Sequence, residues 1–362
     1  MAYGSAYIQH PASRRLTWAD AARGVAILMV VVGHSCPPDV PTAFIYACHM
    51  PLFFMLSGMF FHTDTPLWRA VGRKARTLLV PFVVFNLVML FSDWCIVALS
   101  PNHHAPVDIP SRLLGTLFGL RSGIWSAPLW FLPCLFVAQV LMMLAQRLVW
   151  RWPWMEWPLW GLLTLAGVAW AQYVGMALPL SADVALLAVG FLLLGRYARS
   201  FRFGVQPWWF WLITLFVFVS SALDNYAALG GGHWHVDMSE SRLGNVVDFY
   251  MGAVGGSMLV MGLCHRLDRP TSSFAAHAHS VWWREMFRWM GRNSLALYCL
   301  HRIPLNLGIA LTNLVPALNQ TTFVSQSARS LLLTLFTMLC LWPACAIVNR
   351  WLPWTLGKTS SK

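Results

Sequence analysis

Charged residues are scarce in this chain, and that scarcity is the first constraint on its class. Only 10% of the 362 residues are Asp, Glu, Lys or Arg, whereas 58% are hydrophobic and the mean hydropathy is +0.58. Soluble domains carry about 25% charged residues. The composition therefore excludes a soluble globule and predicts a polytopic membrane protein. Its 21 Trp and 22 Phe residues are typical of the aromatic belts at the two membrane interfaces.

Acidic residues are rarer than basic ones, with 13 Asp and Glu against 25 Lys and Arg, and the formal net charge is +12. Because the cations stand in short clusters between apolar runs, we interpret them as membrane topology and expect no nucleic-acid partner. The eight cysteines include no Cys-x-x-Cys pair and mostly fall inside apolar runs. With no HExxH-like motif either, neither a redox role nor a metal site is predicted.

Apolar runs long enough to cross a bilayer recur along the whole chain. An α-helical span needs about 20 apolar residues, and this rule predicts about ten spans. The fold class is therefore an all-α membrane helix bundle, with a single domain over residues 1–362 and short tails at about 1–16 and 351–362. The segment 111–127 is predicted to be re-entrant or interfacial. The spans are placed near residues 18–35, 42–62, 77–99, 128–150, 157–175, 181–198, 207–226, 245–264, 294–314 and 330–350.

The cations are distributed unevenly between the two sides that these spans define. Nineteen of the 25 fall on one side, and Arg23 and Arg302 lie within spans. Cationic loops stay in the cytosol, so both termini are predicted to be cytosolic, which requires an even number of spans. The four cations on the opposite side are Arg112, Arg121, Arg242 and Arg329.

The first span, WADAARGVAILMVVVGHS, contains three ionisable residues. Arg23 and His34 are separated by about three full helical turns, so they share one face with an axial rise of about 16 Å, and Asp20 lies close to the same stripe. An ionisable residue inside a span indicates a functional site. The alternative is that Asp20 and Arg23 form an interfacial ion pair and that His34 caps the helix end.

The second and third spans add His49, directly before Met50-Pro51, and Asp93. His49 is a candidate functional residue by the same argument, or a side chain that satisfies carbonyl groups freed by the proline. Two later motifs contain further polar and aromatic candidates. Trp130 precedes Pro133 in a span, where it lines a channel or belongs to an aromatic belt. The other candidates, which line a tunnel or bind neighbouring helices, are Asn293, Ser294, Tyr298, His301 and Arg302.

Several of these motifs, taken in order, resemble acyltransferase family 3 of integral membrane O-acyltransferases. They are DAARG and GHS in the first span, CHMPLFFMLSG at 48–58, RKAR at 73–76, PLWFLPCLF at 128–136 and MGRNSLALYCLH at 290–301. The chain is most similar to stand-alone members that acetylate exopolysaccharide sugars, in the fucose O-acetylase-like and xanthan acetyltransferase branches. The resemblance covers essentially the whole chain.

The resemblance implies a protein of the bacterial inner membrane that moves an acetyl group from cytosolic acetyl-CoA to a sugar hydroxyl of an exopolysaccharide or its lipid-linked repeat unit. Such a transfer needs a base and donors for the developing oxyanion. We expect His34 to be the general base or a transient acyl carrier, with Asp20 or Asp93 orienting the site and His49 as second acid, base or donor. Trp130, the 293–302 set and Asp93 are expected along the tunnel.

The phosphates of acetyl-CoA are expected at Arg23 and at the cluster of Arg73, Lys74 and Arg76, because guanidinium groups bind phosphate bidentately. The alternative for the cluster is plain topology. The rival function is a transporter or flippase for a lipid-linked oligosaccharide, which intramembrane Asp and His residues also suit. A sensor or scaffold is disfavoured, since it does not need aligned ionisable groups in the first two spans.

Overall fold

A computed structural model describes residues 16–62, 65–99, 109–121, 127–268 and 274–358. These ranges are helical throughout and contain no strand, apart from an isolated bridge between Asp237 and Arg242. The prediction of an all-α protein is confirmed for these ranges. The predicted tails fall mostly on residues 1–15 and 359–362, which lie outside them.

The helices follow one another with short connections. Their bounds are α1 Thr17–His34, α2 Asp39–Met59, α3 Leu67–Leu99, α4 Ile109–Phe118, α5 Phe131–Leu148, α6 Glu156–Ala169, α7 Ala182–Ala198, α8 Trp208–Ala228, α9 Val246–Leu267, α10 Phe274–Arg292, α11 Ser294–Leu300, α12 Arg302–Asn313 and α13 Phe323–Trp351. A π-helical turn, Trp170–Val174, extends α6.

Seven helices in the described part of the chain are long and apolar enough to cross a membrane, and the bent pair α11–α12 raises the number to eight. The predicted count of about ten is not confirmed. The 18-residue α1 carries Asp20 and Arg23, which lower its hydropathy. The 14-residue α6 is shorter than the about 20 residues that a straight span needs. The predicted segment 111–127 contains most of α4, and residues 122–126 of it are not described.

The predicted span 294–314 is broken in the middle. α11 ends at Leu300, α12 begins at Arg302, and the two helices meet at 45° around His301. The physical cause is Pro304, whose ring clashes with the carbonyl group four residues earlier, at Leu300. The break leaves His301, with no exposed surface, between the two helices.

Glycines permit the closest helix contacts. A Cβ atom on Gly24 of α1 would lie 2.0 Å from the Phe287 carbonyl oxygen of α10, and one on Gly291 would lie 1.7 Å from that of Asp20. The same reciprocal pattern joins α2 to α7 through Gly58 and Gly195. Small residues let membrane helices approach backbone to backbone. They fix α1 and α2 in the centre of the bundle.

The two ends of α1 define two ends of the molecule, which we call the Arg23 end and the His34 end. At the Arg23 end, Thr17 bonds Asp268 at the end of α9, and Arg23 lies over Phe60 at the end of α2. Gly357, near the last described residue, approaches the Arg76 carbonyl of α3. Both ends of the described chain therefore lie at the Arg23 end, and their cytosolic location stays a prediction.

Candidate functional site

The His34 end of the bundle contains a cavity with an empty volume of about 570 Å³, including its opening to the outside. Residues from α1, α2, α11 and two connections line it, which places chain segments more than 200 positions apart around one space. The lining residues are Val30, His34, Tyr46, His49, Met50, Pro128, Trp130, Asp237, Met238, Ser239, Glu240 and Tyr298. Four of the predicted site residues, His34, His49, Trp130 and Tyr298, are therefore brought together.

His34 is the last residue of α1, and its position is fixed by the residue that follows it. The hydroxyl of Ser35, which has no exposed surface, lies 2.6 Å from the Ser330 hydroxyl and accepts from Thr334 at 3.2 Å, both on α13. Ser35 also donates to the Val32 carbonyl at 2.7 Å. These bonds attach the end of α1 to α13, so the imidazole projects from a rigid support.

Tyr46 of α2, which no sequence motif indicated, contacts the histidines at this end of the bundle. Its hydroxyl lies 3.3 Å from His34 Nδ1. Its ring centroid lies 4.9 Å from that of His49 and 4.1 Å from that of His235. A Cβ atom on Gly33 would lie 3.2 Å from the Tyr46 ring, so the glycine of the GHS motif leaves room for this contact.

For two imidazoles, the hydrogen-bond partner determines which ring nitrogen carries the proton. His49 Nδ1 lies 2.7 Å from the Ile45 carbonyl, and His301 Nδ1 lies 2.7 Å from the Tyr298 carbonyl. A carbonyl only accepts, so each Nδ1 carries a proton, and Nε2 of each neutral ring is an acceptor. Pro51 frees the Ala47 carbonyl, not that of Ile45, so His49 does not compensate for the proline.

His301 lies against His34, with ring centroids 5.6 Å apart and planes 22° apart. The imidazoles of the His34 end are therefore close neighbours, and imidazole is a common metal ligand. Among the residues that the structure describes, no three His, Cys, Asp or Glu side chains are arranged to hold a metal ion.

The segment 237–241, whose first four residues form one wall of the cavity, is held in place by a buried ion pair between Arg121 and Asp183. Arg121 donates to both carboxylate oxygens of Asp183, at 2.8 and 2.7 Å, and the Ser241 hydroxyl donates to Asp183 at 3.2 Å. Within the segment, Asp237 accepts from the backbone N–H of Ser239 at 2.8 Å. Sequence spacing gave no role to Asp183, because its partners are 62 and 58 positions away.

His235 approaches the same cavity from the connection between α8 and α9, outside the membrane-spanning helices. Burial lowers the pKa of His235, and the nearby Asp237 carboxylate only partly opposes this effect. The ring is therefore neutral at pH 7. It faces Tyr46 as an uncharged aromatic partner.

The Arg23 end contains an ion pair between two of the predicted site residues, Asp20 and Arg23. The Asp20 carboxylate accepts from Arg23 at 3.2 Å, and the Arg23 guanidinium lies 4.5 Å from the centre of the Phe60 ring. Asp20 is only 4% exposed. The structure does not bring Asp20 to His34, because the fully buried Ile27 lies between them and the cavity reaches only as far as Val30. The tunnel from Arg23 to His34 stays a prediction.

Arginines from three helices converge on the connection between α2 and α3, at the Arg23 end. Arg73 of α3 donates to the Thr65 hydroxyl at 2.7 Å, and Arg147 of α5 to the Thr65 carbonyl at 3.4 Å. Arg199, which follows α7, donates to the Met59 carbonyl at 3.3 Å. The cationic surface thus extends from the predicted Arg73, Lys74 and Arg76 to Arg147 and Arg199, which sequence reasoning counted as topology only.

The remaining predicted residues fall in several places. Asn293 accepts from the Asn349 side chain of α13 at 2.9 Å, so it joins helices and does not line the cavity. Ser294 begins α11, and Arg302 begins α12 directly after His301. The Asp93 side chain lies outside the part of the structure that is described.

The fold and this site define a polytopic helical membrane protein with a histidine-lined cavity at one end and a cationic surface at the other. A family model described as an acyltransferase domain matches residues 16–356, nearly the whole chain, and the chain belongs to this family, acyltransferase family 3. It is therefore a membrane acyltransferase. No curated protein and no solved structure is detectably similar to the chain.

Proposed function

We propose that the protein transfers an acetyl group from cytosolic acetyl-CoA to a sugar hydroxyl of a bacterial exopolysaccharide or its lipid-linked repeat unit, in the inner membrane. The observation that supports this most is that His34, Tyr46 and His49 line one cavity, with His301 stacked on His34, in a protein that belongs to an acyltransferase family. An imidazole is the side chain best suited to remove a hydroxyl proton near neutral pH.

In the proposed reaction the sugar hydroxyl loses its proton to His34 while its oxygen attacks the thioester carbonyl. The carbon–sulfur bond then breaks, the ester is formed, and the CoA thiolate takes up the proton from the His34 imidazolium, which restores the neutral base. If Tyr46 accepts from His34 Nδ1–H, the lone pair of His34 is on Nε2 and available to the hydroxyl. A route through a transiently acylated His34 uses the same residue and the same contacts.

The nucleotide of acetyl-CoA is proposed to bind at the Arg23 end. Arg23, Arg73, Lys74 and Arg76 are joined there by Arg147 and Arg199, and arginine binds phosphate in a bidentate fork. Arg23 and His34 are separated by about 16 Å along α1, a distance that a long pantetheine arm can span. The transporter alternative is not proposed, since no contact in the cavity favours it over acyl transfer.

Membranes that contain the protein test this proposal, with radiolabelled acetyl-CoA as donor and polysaccharide from a strain lacking the gene as acceptor. His34→Ala is expected to reduce ester formation at least about 100-fold, the typical contribution of a positioned base. His233→Ala is the matched control, because His233 lies at the same end but bonds Asp39 and not the cavity. Unchanged ester formation in His34→Ala would refute the proposal, and lost polysaccharide export with normal acetylation would support transport.

A further inference from the structure

Two buried polar atoms beside the cavity have no hydrogen bond of good geometry among the described residues. They are the hydroxyl of Tyr298, a residue that is 5% exposed and lines the cavity, and Nε2 of His301, which has no exposed surface. Leaving such a group unpaired costs about 1–3 kcal/mol. Tyr298 lies in α11, His301 directly follows the last residue of this helix, and their ring centroids are 6.0 Å apart.

The two atoms have opposite hydrogen-bonding character. His301 Nδ1 carries its proton toward the Tyr298 carbonyl at 2.7 Å, so Nε2 of the neutral ring can only accept. The Tyr298 hydroxyl can donate. Together they match a group that accepts one hydrogen bond and donates another, and an alcohol hydroxyl does both.

His34, the proposed base, lies beside this pair, since its ring is stacked on that of His301 at 5.6 Å. One hydroxyl cannot give its proton to His34 and to His301 at the same time. The pair is therefore suited to a second hydroxyl of the molecule whose first hydroxyl is acylated. A polyhydroxylated acceptor such as a sugar provides one.

We propose that Tyr298 and His301 form a binding subsite for a second hydroxyl of the acceptor sugar, with Tyr298 donating to its oxygen and His301 Nε2 accepting its hydrogen. This subsite holds the sugar ring so that the hydroxyl to be acylated faces His34. It rests on the proposed function, because it deepens the acceptor site of that reaction. It also predicts that acceptors with one hydroxyl only are poor substrates.

The test measures acetyl transfer to polysaccharide from the gene-deletion strain and compares the KM for polysaccharide with the KM for acetyl-CoA. Tyr298→Phe keeps the ring and removes the hydroxyl, and should raise the KM for polysaccharide about fivefold, the value of one hydrogen bond, with a smaller change in the KM for acetyl-CoA. His301→Asn keeps a donor toward the Tyr298 carbonyl but loses the Nε2 acceptor. It should therefore raise the KM for polysaccharide by a similar factor. His301→Gln, whose amide oxygen reaches the Nε2 position, should recover part of the affinity.

Thr337→Val is the matched control, because the Thr337 hydroxyl is also buried and unpartnered but does not line the cavity. Its KM should equal that of the wild type. An unchanged KM for polysaccharide in Tyr298→Phe, or an equal rise in the KM values for polysaccharide and acetyl-CoA, would overturn the subsite while leaving the proposed function intact. A wild-type protein that transfers no acetyl group to polysaccharide would refute both.

Discussion

The two ends of α1 differ in how the buried polar side chains around them are hydrogen-bonded or ion-paired. At the Arg23 end, the Asp20 carboxylate meets Arg23, and the Arg23 guanidinium lies over Phe60. At the His34 end, the Tyr298 hydroxyl and His301 Nε2 have no hydrogen bond of good geometry within the described structure. A buried polar group needs a partner, and the comparison shows which groups find it in the protein and which are available to a ligand.

In the sequence, a functional role and a purely structural role look alike for Asp20, Arg23 and His34, which lie on one stripe of the first span. The structure distinguishes the two roles. For Asp20 and Arg23 the alternative ion pair at i, i+3 is formed. For His34, the contacts with Tyr46 and His301 go beyond what capping a helix end would require.

The largest effect is expected at Asp20. Asp20→Ala leaves the Arg23 guanidinium without its buried carboxylate and should lower the free energy of unfolding by about 3 kcal/mol. Glu285→Ala is the control, since it breaks an ion pair whose carboxylate side chain is 47% exposed and should cost below about 1 kcal/mol. Unfolding in detergent micelles measures both.

A second prediction for Asp20→Ala concerns the activity of the molecules that fold. Because Asp20 does not reach the cavity, ester formation per folded molecule should stay near that of the wild type. A loss as large as that of His34→Ala would mean that the two ends work as one site, as the sequence-based prediction of a catalytic Asp20 requires.

A slightly smaller effect is expected from the glycine contact that holds the Arg23 end together. In Gly291→Ala, the added Cβ would lie 1.7 Å from the Asp20 carbonyl oxygen, so α1 and α10 must separate, at about 2 kcal/mol. Gly72→Ala is the matched control in α3, where a Cβ meets nothing within 4 Å and should stabilise the helix slightly. Thermal unfolding of the two variants compares them, and equal melting temperatures would contradict the close contact.

The smallest effect is expected at Tyr46. Tyr46→Phe keeps the ring against His49 and His235 but removes the hydroxyl that lies 3.3 Å from His34 Nδ1. The loss of one neutral hydrogen bond should lower kcat about fivefold with little change in either KM, because the bond orients His34 and does not bind substrate. Steady-state kinetics measure the split, and a change in KM alone would assign Tyr46 to binding.

Much of the fold follows from the sequence because hydropathy and proline act locally. The runs at 42–62, 181–198 and 207–226 correspond to α2, α7 and α8, which are long and apolar enough to cross a membrane. The break at His301 was missed, although Pro304 is its local cause. The structure has fewer long apolar helices than the about ten predicted spans, because Asp20 and Arg23 lower the hydropathy of α1 and because α6 has only 14 residues.

Less of the site follows from the sequence, because its contacts are tertiary. His34, His49, Trp130 and Tyr298 are recognisable as polar or aromatic residues in apolar spans. Tyr46 carries no such signal, since a tyrosine near a helix end is ordinary in a membrane protein. The wall at 237–241 depends on Asp183 and Arg121, and nothing in their spacing indicates that they pair.

An experimental structure with a non-hydrolysable acetyl-CoA analogue bound tests the role of His34 most directly. We expect the nucleotide to lie against Arg23 and the neighbouring arginines, and the acetyl group to enter the cavity within contact distance of the His34 imidazole. An acetyl group that stays at the Arg23 end, or that enters the membrane away from His34, would contradict the assignment of chemistry to the His34 end.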